Sequence, residues 1–269
     1  MDFETIILKK EGPLATLVFN RPHRLNAVNN QMNLEIPKAL QDVAGDDDIR
    51  VLVITGAGRG FCAGGDHSST PDSLVNFVMP QRTPEKIAQA VRGYTRPITV
   101  ALQELRIPTI AMVNGVAVGQ GFSMTQACDI RFGSDNAKFM VGWTNRGLVP
   151  AFGDPWMLPR IIGLGRAMEL IYTARMLEAE EAQQIGLLNR LVPAKDLEQV
   201  TMDFARALAE GPPIALRMDK QITYNGLHTD LQASLDALAV AQGICICSDD
   251  WEEATMAFQQ KRATVFKGK

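Results

Sequence analysis

Residues 107–129, IPTIAMVNGVAVGQGFSMTQACD, carry the reading that decides the fold. Thr109–Val113 is apolar but for its first residue, has the length of a strand, and is bounded by Pro108 and by Asn114-Gly115. Gly119-Gln120-Gly121 then opens a helix that runs to about Cys128. A strand apolar on both faces must be covered on both faces, so the stretch predicts a layered α/β protein with parallel strands rather than an antiparallel sandwich. At the turn into the helix, backbone N–H groups lack intrahelical partners and collect anions.

The same pattern occurs upstream, where the apolar run Val51–Thr55 leads to Phe61-Cys62-Ala63-Gly64-Gly65-Asp66, a second strand, turn and helix. Two such turns can grip one oxygen, as an enzyme that stabilises an enolate or a tetrahedral oxyanion requires. Further outward, Thr5–Lys9 and Leu14–Asn20 read as strands, followed by a helix from after Asn26 to about Gly45. A second unit has a helix from about Thr83 to Leu105 before the strand at 109; a third, weaker one has Asp129–Gly133, Lys138–Val141 and a helix over Asp154–Ile162. After about Pro193 only helical pattern remains: Leu197–Ala209, Ala215–Tyr224, Thr229–Cys245 and Asp250–Gln260.

With 27 Lys and Arg against 30 Asp and Glu over 269 residues, the chain lacks the positive field that nucleic-acid binding needs. No apolar stretch has the length of a membrane span, and Asp2 and Glu4 stand where a signal peptide would be basic and then apolar, so a soluble, unprocessed, cytoplasmic protein is expected. Cys62, Cys128, Cys245 and Cys247 form no CxxC pair, and the three histidines (His23, His67, His228) are widely separated, which predicts neither a disulfide framework nor a metal site. Gly56-Ala57-Gly58-Arg59-Gly60 is a glycine-rich turn rather than a dinucleotide fingerprint, because Phe61 occupies the place of the third glycine.

The strings GRGFCAGGD (58–66), NGVAVGQG (114–121), ACDIRFGSDNAKF (127–139), GLVPAFGDPWMLPRIIG (147–163) and AFQQKRATVFKGK (257–269) resemble the crotonase, or enoyl-CoA hydratase/isomerase, superfamily from about Ile6 to Lys269. The resemblance implies a spiral of ββα units binding acyl-CoA over residues 1–195 and a helical trimerisation region over 196–269. It also implies a homotrimer or dimer of trimers, with coenzyme A arriving as part of the substrate and no other cofactor. By the same resemblance the amides of Gly65 and Gln120 hold the thioester oxygen. Arg24, Leu25, Ala63, Asp66, Phe258 and Lys261 contact CoA, Asp66 being equally suited to capping a helix.

The chain departs from that family where water is activated. The two hydratase glutamate positions hold Ser123 and Trp143, and the aspartate position of the isomerase and dehalogenase branches holds Ala151. A serine hydroxyl does not titrate near neutrality, and an indole only donates. Trp143 lines a pocket for a flat acyl group in a related dehalogenase branch, or else fills core. Asp154 is the best remaining titratable group, as a base or as a helix cap ahead of Pro155. His67 at the mouth is a further proton carrier, with Glu85 and Tyr94 behind it, and the loop Ser68–Pro84 is expected to be mobile and to close over the acyl chain. These residues point to an acyl-CoA lyase or isomerase working through an enolate on a cyclic or aromatic acyl group. Hydrolysis or C–C cleavage using Asp154 or His67, and a non-catalytic acyl-CoA-binding protein, are the alternatives.

Overall fold

The computed structural model describes residues 2–68 and 83–269. The helix expected after Asp66 and most of the loop expected to close over the site lie outside the described residues.

The chain begins with an antiparallel hairpin, β1 (Ile6–Glu11) and β2 (Leu14–Phe19), Ile6 facing Phe19. α1 (Asn30–Ala44) starts where the Asn29 side chain accepts the Met32 N–H at 3.0 Å. β3 (Val51–Gly56) returns beside β2, and β4 (Gly60–Cys62) leaves for a second sheet. The helix predicted over 83–105 is α2 (Pro84–Thr95), a π-helical turn Arg96–Val100, and α3 (Ala101–Glu104). Pro97 lies in that turn and has no N–H to continue an α-helical ladder.

β5 (Thr109–Val113), β6 (Val116–Val118) and α4 (Gln120–Ala127) form the next unit. β7 (Ile130–Ser134), β8 (Lys138–Met140) and α5 (Asp154–Ile162) form the third. Then come α6 (Leu164–Thr173), β9 (Leu177–Glu178), α7 (Ala179–Gln184) and β10 (Arg190–Val192), followed by α8 (Leu197–Ala209), α9 (Pro213–Gly226), α10 (Leu231–Ile246) and α11 (Asp249–Gln260).

The six-stranded sheet has the order β1-β2-β3-β5-β7-β10, parallel beyond the hairpin, and the four-stranded sheet the order β4-β6-β8-β9. Each of the pairs β3/β4, β5/β6 and β7/β8 gives its first strand to the large sheet and its second to the small one, so the chain winds as a spiral of repeats. Alternation along β3 shows why Val51–Ile54 is wholly apolar. Leu52 and Ile54 pack with α1 residues Met32 and Ile36, whereas Val51 and Val53 pack with Leu197, Ala205 and Ala209 of α8 on the opposite face.

Asp129 ties α9 to the spiral by accepting the Thr109 N–H at 2.7 Å and the Tyr224 hydroxyl at 2.9 Å and pairing with Lys220 at 2.9 Å. Beyond it α10 is apolar on several faces, and Leu231, Leu235, Leu238, Val240 and Ile244 are exposed in the single chain. Among the described residues no single helix is long and apolar enough to cross a membrane.

Candidate active site

The segment after β4 is pinned residue by residue to 25–28. Ala63 N–H donates to Leu25 O at 2.9 Å, Val28 N–H to Gly64 O at 2.7 Å, and Asp66 N–H to Val28 O at 2.8 Å. Among the described residues the Gly65 N–H donates to no protein group. Gly64 has a φ of 93°, and a Cβ there would stand 2.9 Å from Val118 O, so only glycine lets this turn lie against the end of β6.

The partner turn is the entry to α4, where Gly119 (φ 51°) is the N-cap and its N–H donates to Met140 O at 2.9 Å. The Gln120 N–H, in the first turn of the helix, likewise has no partner among the described residues. Its side chain is turned away and donates from Nε2 to Asn33 Oδ1 of α1 at 2.7 Å. A Cβ on Gly121 would fall 2.2 Å from Cys62 O, which shows how closely α4 abuts the first turn. Two unpaired main-chain N–H groups thus sit on two turns in contact, one preceded and the other flanked by glycine.

Asp154 lies behind this helix start. It is 0 % exposed, accepts the Ser123 hydroxyl at 2.7 Å and Gln126 Nε2 at 2.9 Å, and is therefore held by α4. The capping alternative is corrected by the structure: Gly153, at φ 98°, is the N-cap, and Asp154 is the first helical residue with Pro155 second. Burial pushes the Asp154 carboxyl up to about 6, against the lowering effect of the Ser123 and Gln126 hydrogen bonds.

Trp143 adjoins Gly119, with Cε2 3.8 Å from where a Cβ on that residue would be, and stacks on Phe152 at 6.0 Å between centroids. Its indole Nε1 is buried and has no hydrogen-bond partner among the described residues. The aromatic pair therefore packs beside the α4 N-terminus, and Ala151 contributes no carboxyl there.

His67 is at the surface next to Asp66. Partial desolvation and then the Arg146 guanidinium hold its imidazole below the usual histidine value, outweighing Asp66. The helix that Asp66 would cap lies outside the described residues; Asp66 pairs with Arg21 at 2.9 Å and accepts the Ser68 N–H at 3.0 Å. Burial raises its carboxyl, but the Ser68 and Arg21 hydrogen bonds outweigh that and leave it below the ordinary value. Arg24 is exposed at the end of a 3-10 turn, and Leu25 and Asn26 follow at φ 50° and 58°. Tyr94, pushed up to about 12 by burial, donates to Asn30 Oδ1 at 2.8 Å, and Glu85 is exposed.

Phe258, 86 % exposed, and Lys261, at φ 54°, end α11. That helix packs on α10. Among the described residues no group of His, Cys, Asp and Glu is placed to hold a metal ion.

Three contributors escaped the sequence reading: Arg21, Asn26, whose Nδ2 donates to Ala57 O and Gly60 O, and Gln126. Arg21 and Asn26 lie inside the stretch read for CoA contacts, and Gln126 one turn beyond Ser123 on α4. That helical spacing was the one signal for it.

Residues 9–269 match the family model described as Enoyl-CoA hydratase/isomerase. A crotonyl-CoA hydratase of Syntrophomonas wolfei is 35% identical, covering 100% of both chains, and a 1,2-epoxyphenylacetyl-CoA isomerase of Escherichia coli is 35% identical, covering 99% of each. The crystal structure of an enoyl-CoA hydratase from Bacillus anthracis superposes with a TM-score of 0.90 at 30% identity, covering 99% of this chain and 100% of that one.

Proposed function

Because the chain belongs to the enoyl-CoA hydratase/isomerase family, we propose that it is an isomerase-type enzyme that forms the enolate of a cyclic or aromatic acyl-CoA. The observation that carries this reading is the fully buried carboxyl of Asp154 against Ser123, behind two N–H groups unpaired among the described residues. Hydration needs one group to activate water and another to protonate carbon, whereas a double-bond shift needs one group that takes a proton and returns it. With Ser123 and Trp143 at the glutamate positions, Asp154 is the titratable group that fits, since a carboxyl near 6 is largely ionised at neutral pH and still holds a proton for return.

The Gly65 and Gln120 amides would hold the thioester oxygen. The proton on the adjacent carbon passes to the Ser123 oxygen as the hydroxyl proton passes to Asp154, and the electron pair of the broken C–H bond moves into the enolate. Reversal at another carbon returns it. Trp143 and Phe152 form a flat wall suited to a ring, in keeping with the isomerase relative whose name carries an epoxidised-ring acyl group. Arg24 and Lys261 are cations suited to the CoA phosphates.

Incubation with benzoyl-acetyl, cyclohexenyl and crotonyl thioesters of CoA in deuterated water tests this. Deuterium is expected at the carbon beside the thioester of the ring-bearing compounds, read by mass spectrometry. Complete enclosure of Asp154 favours a second reading, a non-catalytic acyl-CoA-binding protein. Tight CoA binding with neither exchange nor turnover would establish that one instead.

The exposed apolar residues of α10 support assembly with further copies of the chain into a trimer or a dimer of trimers. Leu238→Glu is expected to shift the light-scattering mass to a single chain; an unchanged mass removes α10 from the interface.

A further inference from the structure

The Ser123 hydroxyl has one proton and two acceptors in reach, Asp154 Oδ2 at 2.7 Å and Gly119 O at 3.0 Å. That second acceptor matters because Gly119 C=O and Gln120 N–H belong to the same peptide group. A hydrogen bond accepted by a peptide oxygen withdraws electron density through the amide and makes its N–H a stronger donor. Gly119 O already accepts the Ser123 N–H at 2.9 Å, so the hydroxyl adds a second bond to the same oxygen.

We propose that Asp154, acting through Ser123, tunes the Gln120 amide: while Asp154 is ionised the Ser123 proton points to it, and when Asp154 takes up a proton it donates to Ser123 Oγ and the Ser123 proton turns to Gly119 O. The Gln120 N–H is then strengthened at the moment negative charge arrives on the thioester oxygen. In this role Asp154 and Ser123 are positioning residues for the oxyanion donor, in addition to carrying the proton.

The surroundings give Asp154 no rival control. Its carboxyl is touched by Ser123 and Gln126 from α4 and by its own backbone, and no charged side chain, from α4, the π-helical turn or the 152–154 corner, perturbs its ionisation. Thr99 of the π-helical turn is spent on Phe152 O at 3.0 Å.

The inference rests on the enolate reading, and isotope-edited infrared spectroscopy separates the two. With acetyl-CoA carrying a 13C carbonyl bound to the full chain, the thioester C=O stretch is expected at lower frequency at about pH 5 than at about pH 8. Ser123→Ala should give one frequency at both pH values, and Ser123→Thr, which keeps the hydroxyl, should restore the difference. A bound carbonyl shifted from its free frequency but insensitive to pH in the wild type, or still sensitive in Ser123→Ala, overturns the coupling alone. Acetyl-CoA that binds with its carbonyl at the free frequency, or does not bind, overturns the oxyanion reading and the coupling with it.

Discussion

Asp154→Asn is expected to lower kcat by roughly 100- to 10,000-fold and, unusually for the loss of a buried hydrogen-bonded group, to raise the melting temperature at alkaline pH. The two effects share one cause. Burial lifts the carboxyl from its ordinary 3.8 to about 6, so the native protein binds this proton more tightly than the unfolded chain does. Between those values the native state holds more protons, and stability falls as pH rises through the window. Above it the ionised group destabilises the fold by about 3 kcal/mol, the free-energy equivalent of that gap. Asparagine carries no charge and escapes the penalty. Melting curves should therefore separate wild type from variant at about pH 8 and converge at about pH 4. A variant as active as wild type, or no more stable at the higher pH, would return Asp154 to a purely architectural place.

The second large effect is expected at Gly121. An added Cβ would lie 2.2 Å from Cys62 O and 2.7 Å from Cys62 Cβ, and neither atom is the far end of a flexible side chain. Gly121→Ala must therefore push the start of α4 off the 62–65 turn, separating the two N–H donors. A loss of roughly 100- to 1,000-fold in kcat follows, comparable to deleting one oxyanion donor, with about 2 kcal/mol of overpacking destabilisation. Gly165→Ala makes the same chemical change within α6, where nothing lies within 4 Å of the new carbon. There helix propensity should add up to about 1 kcal/mol. Steady-state rates and melting temperatures of both variants check the contrast, and wild-type kcat in Gly121→Ala would mean that the contact between the turns does not matter for catalysis.

Much of the fold was legible because the signals are local. The strand Thr109–Val113 and the helices Asp154–Ile162 and Leu197–Ala209 fall where the pattern places them, each marked by an unbroken period and a glycine, proline or acidic boundary. The short strands β4, β6 and β9 and the six-residue α7 are too brief to show a period, and they form or flank the small sheet. The π-helical turn was hidden for a related reason: its apolar residues continue the helical stripe, and only Pro97 hints at the change.

The site divides along the same line. Glycines at 64, 119 and 121 announce tight turns, because backbone geometry is written in residue type. The partners of Asp154 were not written there, since Asp-Pro is a good local signal for a helix start and Ser123 and Gln126 lie 31 and 28 residues away. Arg21 was passed over for a similar reason, its ion pair with Asp66 spanning 45 residues.

β4 and β6 are parallel neighbours, and both unpaired amides follow their carboxyl ends. Adjacent strands lie about 4.8 Å apart, so the spacing of the two turns is inherited from sheet architecture and holds as long as the glycines between them stay free of a side chain. Ser123, Trp143 and Asp154 belong to a separate layer of the design, replaceable without disturbing that fixed gauge. On this chassis the side chains at 123, 143 and 154 can be exchanged while the two turns and their amides keep their place.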